Sequence, residues 1–314
     1  MQKVLLSMAL LLTQDSCLHA QELSVYGNLD LSLGRFKRNV SDESLTHALT
    51  RVESGVTSGT YFGIKGQESV VPGVVASFKL ESSVSADSGS VSGEFWGRTS
   101  ELGLAADLGG LTVGRSLSLS FRASLMQSPF TVFRPLGLTG VTNFGAFQSN
   151  ALTYTSPTWG GWQSVLQYSP SEVTAQSGIR ALQLARTEGP FEGALTWTED
   201  GLQDLLQMGG SYRGAWGKIF VQWARVRHAD VAQEPSHLHL GLAVPLSGGR
   251  QLRAAWTHAE PATAQRRDGL ALVLDQALSP RVSIYAGWLW QSAQEATPGR
   301  LYGQSLMVGL KQKF

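Results

Sequence analysis

Segments of about ten residues that alternate apolar and polar side chains recur from Ser24 to the end of this chain, with turn signals between them. A side-chain period of two belongs to β-strands with two unlike faces, and it constrains the fold more than any other feature here. The last segment is the clearest. In Gln304–Phe314, Leu306, Val308, Leu310 and Phe314 share one side, and Ser305, Met307, Gly309, Lys311 and Lys313 share the other. An apolar row backed by a polar row suits a wall between lipid and water. Ser24–Leu33 repeats the pattern, with Val25, Gly27, Leu29, Leu31 and Leu33 outward and Tyr26, Asn28, Asp30 and Ser32 inward. Val74–Ser82, Arg250–Ala259 and Arg281–Gln291 follow it too, the last with Val282, Ile284, Ala286, Trp288 and Trp290 as its outer row.

The first residues read as an export signal. Met1–Lys3 is short and basic, Val4–Leu12 is an apolar run, and Thr13–Ala20 is polar and ends in Leu-His-Ala. This layout predicts a secretory signal peptide over 1–20, with Gln21 as the first mature residue. Cys17, the single cysteine, falls inside it. Gln14-Asp15-Ser16 is a poor lead-in for a lipid-modified cysteine, so Cys17 is expected to leave with the signal, and no disulfide is expected in the remainder. No other run approaches the roughly 18 apolar residues of a membrane helix. Mean hydropathy is −0.04. With 35 glycines and 25 basic against 24 acidic residues, the composition fits a barrel with one dry and one wet face, and equally a soluble sandwich.

The spacing of turns separates these two. Short turns are expected at Val71-Pro72-Gly73, Asp107–Gly110, Thr158–Gly161, Glu188–Pro190, Gly214–Trp216, Leu246–Gly249 and Ser279-Pro280. Longer polar links fall between them, at about 36–56, 86–94, 116–148, 170–178, 199–204, 228–237, 260–268 and 292–302. Together they predict sixteen antiparallel strands, an even number that lets the first pair with the last. Closure leaves no strand edge in lipid, where each unpaired backbone group costs several kcal/mol. Trp159, Trp162 and Trp216 sit at or beside short turns, where a barrel carries an aromatic girdle. The expected organisation is one barrel domain over 21–314, with 116–148 as a constriction loop.

Several segments together resemble the general trimeric porins of Gram-negative bacteria, in their beta-proteobacterial form. They are Val25-Tyr26-Gly27-Asn28-Leu29-Asp30, Phe62-Gly63-Ile64-Lys65-Gly66-Gln67-Glu68, Phe78-Lys79-Leu80-Glu81-Ser82, Leu102-Gly103-Leu104, Val113-Gly114-Arg115, Asn150–Pro157 and Val308–Phe314. The terminal Phe314 likewise looks like the end signal of outer-membrane barrels. The resemblance implies a water-filled barrel of sixteen strands, a homotrimer, with the third long loop folded inward to form an eyelet opposite basic wall residues. This chain departs from the pattern at Tyr61, where the family usually has arginine, and at Ser69, where it usually has an acid. The second long link is also short for a loop that latches onto a neighbouring subunit.

Selectivity is expected to be written in Ser116–Gln148, the longest link. It carries Phe121, Leu125, Met126, Phe130, Phe133, Leu136, Leu138, Phe144 and Phe147. A loop packed on an inner wall uses such residues, each worth roughly 1.5–3 kcal/mol when buried. It holds Arg122 and Arg134 and no carboxylate. Rings of Arg or Lys in a narrow aqueous pore favour anions, and low-dielectric walls focus their field. The expected constriction set is Arg115 as the principal wall charge, by its match to the family's Gly-Arg, then Arg122 and Arg134 from the loop and Lys79 from the third strand. Arg98, at a strand end, is a further member. Glu81 beside Lys79 offsets part of this charge, and Asp30 and Glu101 are inward carboxylates that work against it.

Other chemistry finds no support. His237 and His239 share a strand face at the edge of a polar link with Glu234 nearby, and they read as exposed loop histidines rather than metal ligands. There is no Gly-x-Ser-x-Gly elbow, phosphate loop, dinucleotide fingerprint, zinc-protease motif or EF-hand. Net charge of +1 without a basic run argues against nucleic acid. The expectation is an outer-membrane porin, not an enzyme and without cofactor or metal. It would pass small hydrophilic solutes and inorganic anions passively and contact outer-membrane lipid and lipopolysaccharide. A substrate-selective channel with a largely occluded pore is the alternative, and a secreted adhesin- or lectin-like β protein is a third reading that Phe314 and the even strand count oppose.

Overall fold

The computed structural model describes residues 22–37, 48–130, 144–172, 177–228, 234–260, 267–294 and 300–314. The expected signal peptide lies outside them. Sixteen wall strands close on themselves. They are β1 (Glu22–Phe36), β2 (Leu49–Ser54 continued by Tyr61–Val71), β3 (Val74–Ser85), β4 (Thr99–Ala106), β5 (Gly109–Leu117), β6 (Phe147–Thr155), β7 (Trp162–Ser169) and β8 (Ile179–Glu188). The wall continues through β9 (Phe191–Glu199), β10 (Gln203–Gly214), β11 (Gly217–His228), β12 (Ser236–Leu246), β13 (Arg250–Glu260), β14 (Arg267–Ala277), β15 (Val282–Gln294) and β16 (Arg300–Lys313). A two-residue pair, Ser90–Val91, touches only the end of β3. One helix, α1 (Leu119–Met126), lies in the third long loop.

Every neighbouring pair is antiparallel, and β1 joins β16 from Asn28↔Lys313 to Phe36↔Ser305. Main-chain bonds between Gly27 and Phe314, N to O in both directions at 3.2 Å, extend this seam to the last residue. Among the described residues every wall strand is paired on both sides, which is the condition for β-structure in hydrocarbon. Alternation sorts the faces. Leu306, Val308 and Leu310 are 64%, 59% and 49% exposed, whereas Ser305 and Met307 between them are buried. Hydrophobic side chains on the outside and buried polar ones inside invert the pattern of a water-soluble protein, because the outer medium is lipid. Trp159, Trp162 and Trp216 stand exposed beside the short turns, at one end of the wall.

The second strand differs from expectation. Residues 36–56 are not all link: Leu49–Ser54 already pairs with Leu31–Phe36 of β1. The strand is then interrupted over 55–60 and resumes at Tyr61 against Asn28. A strand of β-rich but strongly polar composition, broken by Gly55 and Gly59, carries no clean period-two signal, so the sequence reads as a loop. The long third link is likewise not structureless, since α1 occupies its first part.

Candidate functional site

The third loop lies inside the barrel. It leaves β5 at a bulge where the pairing of β5 with β6 shifts between Gly114 and Ser116, opposite Asn150 at φ 54°. Such a bulge bends the strand and re-aims its side chains. Ser118 then caps α1, its hydroxyl accepting from the Phe121 N–H at 3.3 Å. Leu119 and Ala123 are buried on the helix face that meets the wall, Leu119 in a cluster with Val165 of β7 and Ala181 of β8. Past the helix, Phe130 is buried with Ala255, Ala271, Val273, Tyr285, Leu289 and Met307 of β13–β16. On the loop's return, Phe144 is buried with Leu205, Ala224, Val226 and Ala259. Three apolar anchors thus carry the loop across the lumen.

Polar side chains of the wall and of the loop itself hold it between the anchors. Gln167 Nε2 donates to the Leu117 carbonyl at 3.0 Å and Gln183 Nε2 to that of Leu119 at 3.5 Å. Gln127 Nε2 donates to the Ala194 carbonyl at 3.3 Å, and Gln127 Oε1 accepts from Gln222 Nε2 at 2.9 Å. Arg253 donates to the Pro129 carbonyl at 3.1 Å and lies over the Phe130 ring at 4.8 Å. Two wall glycines make the approach possible. A Cβ at Gly241 would come within 2.4 Å of Pro129 Cδ, and one at Gly209 within 2.7 Å of Gln127.

The inner face of β1–β4 carries the charges. Glu81 Oε1 accepts from the Tyr26 hydroxyl at 2.7 Å, and Glu81 Oε2 accepts from Thr99 and Arg98 at 3.3 Å each. Lys79 stands between Glu81 at 3.8 Å and Glu101 at 3.9 Å. Arg98, one residue before β4, stacks over Tyr61 at 4.4 Å and faces the Phe147 ring at 5.3 Å. Arg115 sits at the β5 bulge. Regular alternation would put it on the outer row with Leu111 and Val113, and its guanidinium donates to the Gly97 carbonyl and to Ser149 Oγ at 2.6 Å each. Its guanidinium is 5.9 Å from the Phe147 ring, which Arg98 also faces. Arg122, in α1, is half-buried, and no carboxylate pairs with it among the described residues. Burial holds its pKa below the ordinary guanidinium value, which still leaves it charged at neutral pH. Arg134 lies outside the described residues. The structure therefore brings Lys79 and Arg98 together around Glu81, with Arg115 at the rim beside them.

Lys65 belongs with this set, outside the residues expected from the sequence. It pairs in register with Lys79, and its ammonium lies 5.1 Å over the inward Tyr26 ring. Alternation from Tyr61 and Gly63 already places it inward, so the signal was present. Lys311, already on the inner row by alternation, and Arg253 are inward as well, both paired with Asp275. His237 and His239 correct the expectation of exposed loop residues. Strand β12 begins at Ser236, which turns both onto the inner row, where they are 2% and 5% exposed with rings 6.2 Å apart. No group of three or more potential metal ligands occurs among the described residues.

Most inward carboxylates among the described residues are buried or paired. Asp30 is fully buried and accepts only from hydroxyls and main-chain amides. Glu53 pairs with Arg51, Glu192 with Lys218 at 2.8 Å, and Asp275 with Arg253 at 2.7 Å. Lys65, Arg115 and Arg122 have no carboxylate partner among the described residues. Among the described residues the inner wall thus carries mostly neutralised acids and a few cations without a carboxylate partner.

Known proteins agree with this architecture. The Gram-negative porin family profile matches residues 7–292. Outer membrane porin protein 32 of Delftia acidovorans is 22% identical over 98% of this chain and 95% of its own length. An outer membrane porin protein of Bordetella pertussis is 23% identical over 91% of this chain and 93% of its own. An anion-selective porin from Comamonas acidovorans superposes with a TM-score of 0.82 at 18% identity, covering 94% of this chain and all (100%) of that one. OmpT of Vibrio cholerae in its trimer form gives 0.71 at 14% identity, over 94% of this chain and 100% of its own. A closed barrel with an inward loop, matched by a family profile over almost its whole length, places this chain in the Gram-negative porin family as an outer-membrane channel for passive diffusion.

Proposed function

We propose that this porin prefers small anions. The observation that supports the reading is the balance of the inner wall: among the described residues Asp30 is sequestered and Glu53, Glu81, Glu101, Glu192 and Asp275 are paired with cations, whereas Lys65, Arg115 and Arg122 have no carboxylate partner; the exposed Glu22, at the start of β1, is bonded to Gln67. Unpaired cations beside low-dielectric walls attract counter-ions and raise the barrier to cations. Arg134, between Phe130 and Phe144 in the chain, completes the expected set and lies outside the described residues. The chain is exported by the signal over 1–20, works without catalysis, cofactor or metal, and assembles as a homotrimer through the face that carries the short second loop. The solvents of its outer face are lipid and lipopolysaccharide.

The test is the reversal potential of the purified protein in a planar bilayer under a KCl gradient. The expected sign is towards chloride, and Arg122→Glu is expected to move it towards potassium. Potassium selectivity in the unmodified channel would overturn the reading while leaving the porin itself intact. A second reading, a narrow channel for particular solutes, draws support from Phe130 and the apolar patch around it, which set a packed apolar cluster on the inner wall. Permeation rates of neutral sugars of increasing size separate the two: a gradual decline marks a general pore, and exclusion of all but ions marks a selective one.

A further inference from the structure

The break in β2 is folded into the barrel instead of out into solvent. Gly55, Thr57 and Thr60 are buried, and Thr57 is 0% exposed. One carboxylate gathers the segment. Asp30 Oδ2 accepts from the Thr57 N–H and hydroxyl at 2.9 Å each, and from the Ser58 N–H and hydroxyl at 2.7 and 3.1 Å. Asp30 Oδ1 accepts from the Tyr285 hydroxyl at 2.6 Å. The main chain of Asp30 contributes too: its carbonyl accepts from the Gly55 N–H at 2.7 Å, and its N–H donates to Thr60 Oγ1 at 3.0 Å. Asn28, two residues earlier on the same face, donates to the Gly59 carbonyl at 2.6 Å.

No cation lies within ion-pair distance of Asp30 among the described residues; its cross-strand neighbour Lys311 is committed to Asp275 and attracts it only at longer range, so hydrogen bonds offset most of the cost of burying its charge. Charge-assisted bonds of this kind are roughly twice as strong as neutral ones, and their loss would leave buried donors unpaired. Tyr285 can reach the carboxylate because β16 has Gly309 beneath its ring: a Cβ there would approach the ring within 2.2 Å. The segment also meets the third loop's anchorage. Val56 packs against the cluster that contains Phe36, Phe130, Tyr285, Leu289 and Met307. One apolar patch on the inner wall therefore holds both Phe130, after α1 in the third loop, and the turn from β2.

We propose that Gly55–Thr60 is a second constriction element and that Asp30 is the residue that positions it, so that the size limit for solutes is set by this turn jointly with the third loop. The inference rests on the channel reading above and adds a specificity-determining residue to it. It makes a chemical distinction. In Asp30→Asn, the amide oxygen keeps the acceptor for Thr57 and Ser58, and the amide N–H can donate to the Tyr285 oxygen. In Asp30→Ala nothing replaces either.

The experiment compares single-channel conductance and neutral-sugar permeation of unmodified, Asp30→Ala and Asp30→Asn protein, each refolded in detergent and checked for heat-modifiable migration. Asp30→Ala is expected to raise conductance by roughly 1.3-fold or more and to admit larger sugars, with Asp30→Asn close to unmodified. A role confined to stability would lower the unfolding temperature of both variants and leave conductance and cutoff unchanged. If Asp30→Ala does not fold, Gly59→Cys tests the turn directly, since the expected mature chain has no other cysteine. Labelling it with a cationic methanethiosulfonate should cut the current by roughly a third. Full labelling, verified by mass, without a change in current would overturn the proposal. Absence of any conductance from folded unmodified protein would instead overturn the channel reading on which it rests.

Discussion

Glu81 shows how a single carboxylate can tune a pore. It takes bonds from Tyr26, Thr99 and Arg98 and stands beside Lys79, so much of the positive charge on this wall is spent locally. Replacing Glu81 by Gln removes one negative charge and keeps a side-chain acceptor for Tyr26. The reversal potential of Glu81→Gln in a KCl gradient is expected to shift further towards chloride than in the unmodified protein, at a cost of about 1–3 kcal/mol in barrel stability. Lys65→Gln is expected to shift it the other way. Charge sign matters more here than side-chain size: Lys65 and Lys79 lie opposite each other, and their mutual repulsion is relieved by the acids around Lys79 and by the Tyr26 ring under Lys65. Sequence alternation was sufficient to place Lys79 and Lys65 inward. It could not say that Asp30, equally inward, is hidden from water, because that depends on a turn contributed by another strand.

At the scale of elements, the third loop is held by packing in widely separated places. Leu119, Phe130 and Phe144 each enter a different inner-wall cluster, and a truncation such as Phe130→Ala removes one anchor, worth about 3–5 kcal/mol of local contact. Because the wall is closed by its own hydrogen bonds, the expected outcome is a folded barrel with noisier, larger current steps in bilayer recordings. Gly241→Val acts from the other side: its side chain would collide with Pro129 and displace the loop without removing any loop contact, and single-channel conductance checks it. The loop's apolar content was readable in the sequence and pointed correctly to burial inside the barrel. Helix α1 was not readable. Ser-Leu-Ser-Phe-Arg-Ala-Ser-Leu has no acid in its first turn and no base in its last, so local propensity is weak and the helix forms because the wall supplies partners for its backbone and apolar face.

For the molecule as a whole, the medium decides which substitutions matter. Leu102 and Glu101 are neighbours in β4, but Leu102 is 68% exposed on the lipid-facing row and Glu101 points inward towards Lys79. Leu102→Arg is expected to cost up to about 2–4 kcal/mol, seen as a lower urea midpoint of refolded barrel in lipid vesicles. Glu101→Arg should leave that midpoint nearly unchanged and alter ion selectivity. The period of two, the alternation of short turns with long links and the even strand number determined the closed barrel from sequence alone, since in hydrocarbon a β-chain must pair every backbone group and has few ways to do so. What tertiary structure decided is the lumen. The break in β2, the buried histidines of β12, the pairing of Asp275 with Arg253 and Lys311, and the seat of Phe130 join residues far apart in the chain. Their positions follow from which inner-row side chains closure brings face to face, and that is a property of the closed cylinder that no single strand carries.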